Sequence, residues 1–291
     1  MSYRPSGVYH QTYAASHAWW QTSFVRAKIA LLVVFAATLP LYASLYVVSV
    51  ANIVLYTMLS ALGVQLLTGY CGQITLGHAA FIAVGAYVTA MGVLFWGLPY
   101  PLAALLGCLL AGLWSVVFGL PSARIKGFYQ IMTTMAAQFI TVDFIITHYV
   151  SRVGGREHYF SLPPGTITIG GWPVDSEIKV YYLAAALTFL CFAALANLLR
   201  TKVGRAWIAI RDNDIAAEAM GVNVVAYKLL AFFAAGVLAG VAGAVWIPSL
   251  LFVSPEHFQL SWSLWIVGVI LIGGVGSLHG VAFGAIFVTV I

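Results

Sequence analysis

Between two long apolar runs, residues Arg200–Gly221 (RTKVGRAWIAIRDNDIAAEAMG) carry four cations, Arg200, Lys202, Arg205 and Arg211, and three carboxylates, Asp212, Asp214 and Glu218. The chemistry open to them is polar contact with a partner in water. An ionic side chain at a bilayer centre costs at least ~2.5–3.5 kcal/mol on insertion scales, so seven together hold this stretch out of lipid. Asp212, Asn213 and Asp214 each suit a helix N-cap, and carboxylates there favour the positive end of the helix dipole. Ile215 to Met220 supply one or two turns, and Gly221 can end them in the left-handed conformation. The expectation is a short amphipathic helix between two membrane spans, presented to a partner in the cytoplasm.

Catalytic signatures are missing. No GxxxxGK[ST] phosphate loop occurs, so the chain cannot hydrolyse ATP by that mechanism. HExxH, GxSxG and metal-spaced Cys/His clusters are absent too. Cys71, Cys108 and Cys191 are widely spaced within or beside apolar segments and read as packing residues. His78 and His279 each stand beside glycine at a helix break. Both are read as buried neutral rings satisfied by backbone carbonyls, with polar contact to a transported solute as the second reading. Asp143 is the one carboxylate well inside an apolar run, TTMAAQFITVDFIITHY, close to its outer end and to His148. Such a group must pair, neutralise or face water. Structural pairing and a place in a transport pathway both stand. Gln65, Gln73, Thr75, Gln130 and Gln138 could line a polar route, although interhelical hydrogen bonding is their ordinary use.

These side chains need a scaffold, and composition names it. Hydrophobic residues make up 62% of the chain and charged residues 7%, with a mean hydropathy of +0.98, far from the roughly 25% charge of a soluble domain. Apolar runs at about 29–49, 51–68, 74–96, 100–120, 127–149, 180–199, 227–250 and 262–272, with a half-run at 281–291, are long enough for helices rather than barrel strands. The fold class is therefore all-α: a polytopic transmembrane helical bundle with discontinuous, glycine-interrupted helices and a short cytoplasmic helix, which the resemblance given below implies is a coupling helix. Residues 1–28 form an N-terminal interfacial segment, with Trp19 and Trp20 at headgroup level and no cleavable signal peptide. Residues 29–291 form the transmembrane domain, with a cytoplasmic loop at 200–226 and an external loop at 150–179.

With the N-terminus inside, Arg4, Arg26, Lys28, Arg124, Lys126, Arg200, Lys202, Arg205, Arg211 and Lys228 fall on the cytoplasmic side. Only Arg152, Arg156 and Lys179 fall outside. Ten of thirteen cations inside satisfies the positive-inside rule. The net charge of +5 is thus a topology signal. The external loop, rich in Gly, Pro and β-branched residues, suggests turns and a small hairpin. It is either a solvated linker or a docking surface at the outer mouth. The chain ends at Ile291 inside an apolar run, from which further sequence is expected beyond it.

Two apolar segments are interrupted by mildly polar glycine runs, GYCGQITLGH (Gly69–His78) and GGVGSLHG (Gly273–Gly280). They share a loose Gly, polar, Leu, His pattern followed by Phe81 or Phe283. Broken spans free backbone polar groups, which is tolerated only against protein or a water-filled cavity, and they point to translocation sites. Gly236-xxx-Gly240 and Gly280-xxx-Gly284 read instead as close packing.

Four segments together resemble the LivM-type permease subunits of ABC importers for branched-chain amino acids. They are Ala61–Tyr87, Leu120–Ala136, Val203–Phe232 and Gly273–Ala285, in the family's order, within a similarity running from about Asn52 to the end. The third is similar to the family's coupling sequence, Glu-Ala-Ala followed by glycine, with Met220 where the second alanine would stand. The resemblance implies a non-enzymatic transport subunit, with no cofactor of its own, in a bacterial inner membrane. Its implied partners are a second homologous permease, two cytosolic ATPase subunits that bind ATP and Mg, a periplasmic solute-binding protein and a small-molecule substrate.

The same resemblance implies that Arg205, Arg211, Asp212, Asp214 and Glu218 contact the ATPase and that Ala217, Ala219 and Gly221 permit close docking. The pathway would involve Gly72, Gln73, Thr75, Gly77, His78, Asp143, Gly274, Gly276 and Ser277. One departure bears on cargo. Where the family has Thr-Gly-Gly and small residues, this chain has Val153-Gly154-Gly155-Arg156-Glu157-His158-Tyr159. Another amino acid, an amide, urea or an aromatic acid therefore stands beside leucine, isoleucine and valine. The alternative function is a stand-alone secondary transporter or channel, against which the shortage of intramembrane carboxylates counts.

Overall fold

A computed structural model describes residues 23–125, 127–153, 159–163, 165–169, 172–174 and 176–291. Residues 1–44 and 45–291 are separate units. The first contains α1 (Ser23–Tyr42). Its last turn holds Pro40, which has no N–H for the helical ladder, and the chain leaves the helix two residues later. The interfacial assignment for residues 1–22 falls outside the described residues, and residues 23–28 are helical.

In the second unit α2 (Leu45–Val64) runs on into a π-helical turn, Gln65–Tyr70. The sequence expectation placed the first two spans at 29–49 and 51–68. The helix break is instead at residues 43–44, because hydropathy cannot locate a turn built from Ala and Ser between two apolar helices. α3 (His78–Leu94) and α4 (Tyr100–Ala123) follow. α5 (Phe128–Phe139) continues through a second π segment, Ile140–Ile146, into α6 (Thr147–Val153). After α7 (Glu177–Arg200) come α8 (Lys202–Asp212), α9 (Asp214–Ala219) and α10 (Val224–Leu250). A 3-10 turn at Pro255–Phe258 leads into α11 (Leu260–Gly273), and α12 (Leu278–Val290) closes the chain.

Among the described residues six helices are long and apolar enough to span a membrane: Leu45–Tyr70, Tyr100–Ala123, Phe128–Tyr149, Glu177–Arg200, Val224–Leu250 and Pro255–Gly273. α3 and α12 are shorter apolar helices. The polytopic helical bundle expected from composition is what forms. α10 is its hub, packed on α4, α3 and α2. Contact there is backbone-close: a Cβ on Gly85 would lie 2.5 Å from Gly240 Cα. Gly236 and Gly240 meet α4 at Ser115 and Cys108, and Ser115 Oγ donates to Phe232 O at 2.7 Å. Small residues at such crossings substitute dispersion contact for the hydrophobic drive that lipid removes.

Strands occur at one end of the unit. β1 (Phe160–Ser161) pairs antiparallel with β4 (Phe252–Val253), and β2 (Thr168–Ile169) pairs with β3 (Trp172–Pro173). The second pair is the small hairpin expected in the 150–179 loop; the first fastens that loop to the segment after α10. α10 starts beside α9 and ends beside β4, so α8, α9 and the residues that meet them, Gly72, Gly127 and Gly276 among them, lie at the opposite, charged end.

Candidate functional site

The site is assembled where the two glycine runs and the charged stretch meet. α3 begins inside the protein, so its first N–H groups have no water to donate to. Its N-cap is Gly77, which lacks a side chain. Other helices supply the caps. Leu76 N–H donates to Thr134 Oγ1 at 3.1 Å, Ala79 N–H to Ser263 Oγ at 2.9 Å and Ala80 N–H to Gln138 Oε1 at 2.8 Å. Gln138 Nε2 donates in turn to Phe258 O. The fit is tight enough that a Cβ on Gly77 would stand 2.1 Å from Thr134 O. Gln130 Nε2 donates to Gln73 Oε1 at 2.7 Å, tying the same loop to α5. Gln138 thus bonds between helical elements, while Gln130 and Gln73 join a helix to a loop. Thr134 and Ser263, which nothing in their local sequence marks out, complete the arrangement.

The second glycine run meets the first. Gln65 Nε2 donates to Gly274 O at 3.2 Å and to Ser277 O at 3.0 Å. A Cβ on Gly69 would lie 2.7 Å from Gly276 N. Gly274 and Gly276 have φ of +103° and +83°, a region closed to most side chains, so the turn between α11 and α12 requires them. Ser277 caps α12, accepting from Gly280 N–H at 3.2 Å.

The charged stretch folds as two helices, where the sequence suggested only the second. α8 is amphipathic: Ala206, Trp207 and Ile210 are buried, spaced to share one face. That period was available in the sequence and is masked by the charges between. Trp207 Nε1 donates to Tyr227 O of α10 at 2.8 Å. Of the three possible caps for α9, Asn213 is the one used, accepting from Ile215 and Ala216 N–H at 3.1 Å each. α9 ends at Ala219 with Met220 as C-cap and Gly221 at φ +86°. Lys228, only 3% exposed, reaches Asp214 at 3.7 Å.

Ala217 is the buried member of α9, while Glu218 and Ala219 are exposed. Ile215 is 71% and Met220 85% exposed. Two large apolar side chains thus stand on the charged end, where solvent rather than lipid would meet them. A cavity of about 340 Å³ opens between the start of α9 and the first glycine run, with Cys71, Gln73, Gln130, Arg211, Asp214 and Lys228 in its lining.

The remaining candidates fall partly within this meeting point, as Arg211, Gly72, Thr75 and His78 do, and partly outside it. Arg205 is exposed, with Nη1 donating to Arg200 O at 3.3 Å. Arg211 donates from Nη1 to Gly69 O at 2.9 Å and from Nε and Nη2 to Asp212 Oδ1. Gly72 (φ +71°) abuts Arg211, and Thr75 is buried near Gly77 N. His78 is fully buried against Gly63, whose missing side chain leaves room for the ring. Neither ring nitrogen has a hydrogen-bond partner among the described residues, which corrects the carbonyl expected there. His279 is exposed, not buried, because it faces away from the α11–α12 contact made by Gly273 and Gly280. Phe81 is buried and Phe283 is exposed, so the two glycine runs do not repeat each other's environment.

Asp143 is exposed in the second π segment, flanked by exposed Phe139, Ile140, Phe144 and Ile145. It lies five residues beyond Gln138, about 7 Å further along the helix, on the exposed side rather than among the buried residues of the cluster. Residues 154–158 of the cargo departure fall outside the described residues. No group of three or more His, Cys, Asp or Glu side chains among the described residues is placed to hold a metal.

Comparison with known proteins gives the arrangement its context. The family model described as branched-chain amino acid transport system, permease component, matches residues 46–291. The chain is similar to the high-affinity branched-chain amino acid transport system permease protein LivM of Escherichia coli strain K12, at 29% identity over 92% of this chain and 68% of that protein. A probable branched-chain amino acid transport permease protein LivM of Methanocaldococcus jannaschii is 24% identical over 64% of this chain and 53% of its own length. The autoinducer 2 import system permease protein LsrC of Enterobacter sp. strain 638 is 35% identical over 37% of this chain and 33% of its own. No solved structure matches the chain significantly.

Proposed function

The chain belongs to the family of branched-chain amino acid transport system permease components, and from that premise we propose how this member works. It is a multi-pass membrane protein and a transport subunit. It forms part of the pathway of an ATP-driven importer in a bacterial inner membrane, with its N-terminus and the α8–α9 stretch in the cytoplasm. A second permease, identical or homologous, completes the pathway. Two cytosolic ATPase subunits bind ATP and Mg and drive the cycle, and a periplasmic binding protein delivers the solute. Branched-chain amino acids are the first class to test as cargo. The partial similarity to an autoinducer 2 permease keeps other small polar solutes in view.

One observation carries the reading: α9 projects Ile215, Glu218, Ala219 and Met220 from the charged end while Ala217 and the Asp214–Lys228 pair fasten it to the bundle. A short helix capped at both ends and exposed on its outer side is a rigid knob for a cleft in a cytosolic partner. Apolar residues inside a polar rim are the usual anchors of such contacts.

Purification of the tagged chain from its host tests the assembly. An ATPase and a second permease are expected with it, and the complex in liposomes, given binding protein and internal ATP for import, is expected to accumulate solute. Solute pumping by the isolated chain down an ion gradient would establish the secondary-transporter alternative instead.

A further inference from the structure

Arg211, in the last turn of α8, touches both interrupted segments at once. Its Nη1 donates to Gly69 O at 2.9 Å, and the same nitrogen lies 3.2 Å from where a Cβ on Gly276 would be. Its Cα is 3.2 Å from the corresponding point on Gly72. Asp212 Oδ1 accepts from Nε and Nη2 at 3.2 and 3.1 Å and so sets the plane of the guanidinium.

Gly69 sits near the end of the Gln65–Tyr70 π turn, where carbonyls have no following turn to bond and carry the partial negative charge of a helix C-terminus. A guanidinium is well matched to that place, since charge-assisted bonds are the stronger ones. Yet the Arg211 side chain is 38% exposed. The contact can therefore open without stranding an unsolvated charge, as a deeply buried ion pair could not. A bond that is specific, singular and cheap to break suits a moving joint better than a permanent staple.

We propose that Arg211 is a positioning residue that transmits motion of α9 to the inner ends of both glycine-interrupted segments. Asn213 alone separates α8 from α9, so displacement of α9 by a partner pulls on Arg211 first. The guanidinium passes that displacement to Gly69 and, through the Gly69–Gly276 contact, to the α11–α12 turn. Two segments some two hundred residues apart in sequence are thereby moved together. The inference rests on the ATP-driven reading above and adds the element that carries the stroke.

The test is the ratio of solute imported to ATP hydrolysed in liposomes holding the full transporter. Arg211→Gln is expected to lower that ratio at least tenfold while the ATPase still co-purifies. Arg211→Lys, whose ammonium can still donate to Gly69 O, is expected to recover a substantial part of it, and Asp212→Asn to fall between. An unchanged ratio in Arg211→Gln, whether or not total transport and complex yield fall, overturns the proposal and leaves the ATP-driven reading intact. A wild-type chain that brings no ATPase overturns both.

Discussion

The Nζ of Lys228 in α10 and the carboxylate of Asp214 at the start of α9 lie 3.7 Å apart, with the ammonium almost wholly buried. This pair fixes a helix of six residues, too short to persist by itself, at a set place on the longest helix of the bundle. The two partners are not equivalent. Asp214→Asn leaves a buried ammonium without its counter-charge and is expected to cost up to ~3 kcal/mol, whereas Lys228→Met leaves a carboxylate that water reaches and is expected to cost less. Limited proteolysis of the 200–226 loop in the purified complex should rank them in that order.

Glu218→Arg reverses a charge on the outer face of α9 without touching the bundle. ATPase co-purification is expected to fall at least tenfold, with expression and membrane insertion unchanged. Met220→Asp, at the most exposed position of that face, is expected to do the same. Full uptake by Glu218→Arg, measured with labelled solute, would remove the docking assignment.

Two glycine substitutions separate packing from conformation. Gly77→Ala would drive a methyl to within 2.1 Å of the Thr134 carbonyl. Because backbone rather than a pliable side chain stands in the way, loss of 3 kcal/mol or more is expected, at the upper end for overpacking. Gly221→Ala meets no atom within 4 Å but must adopt φ +86°. That is expected to cost roughly 1–2 kcal/mol, local to the end of α9. Thermal unfolding of the purified proteins should show a large fall for the first and a small one for the second.

Gln138→Leu removes an acceptor from Ala80 N–H and a donor from Phe258 O within a buried cluster. Each stranded group is expected to cost about 1–3 kcal/mol. A fall in melting temperature with Gln138→Leu, and a smaller one with Ser263→Ala, would follow from the two residues' contacts.

Asp143 is exposed among exposed apolar residues of a helix long enough to span the membrane, where a carboxylate in lipid is costly. A place facing the proposed second permease or the proposed solute route would remove that cost. Asp143→Leu is expected to lower uptake at least fivefold with the complex still assembled; uptake equal to wild type would assign the residue to neither.

What the sequence determined alone follows from quantities that are local. Twenty-residue apolar runs, the asymmetry of cations, and an Asn-Asp pair before Ile-Ala-Ala each act within a few residues. The helical bundle, a helix start somewhere in Asp212–Asp214 and the glycine stop could therefore be read without coordinates, while the choice of Asn213 as the cap could not. Hidden from it was whatever depends on which surfaces meet. Arg211 is as charged as Arg205, but only the packing of α8 on α10 brings its guanidinium to Gly69. His78 and His279 stand in similar glycine-rich settings, yet one is enclosed against Gly63 and the other is open. Thr134, Gln138 and Ser263 become helix caps because a helix that starts inside the protein must draw its acceptors from distant parts of the chain. Hydrogen-bond partners for a buried backbone are chosen by three-dimensional proximity, and linear spacing carries no record of that.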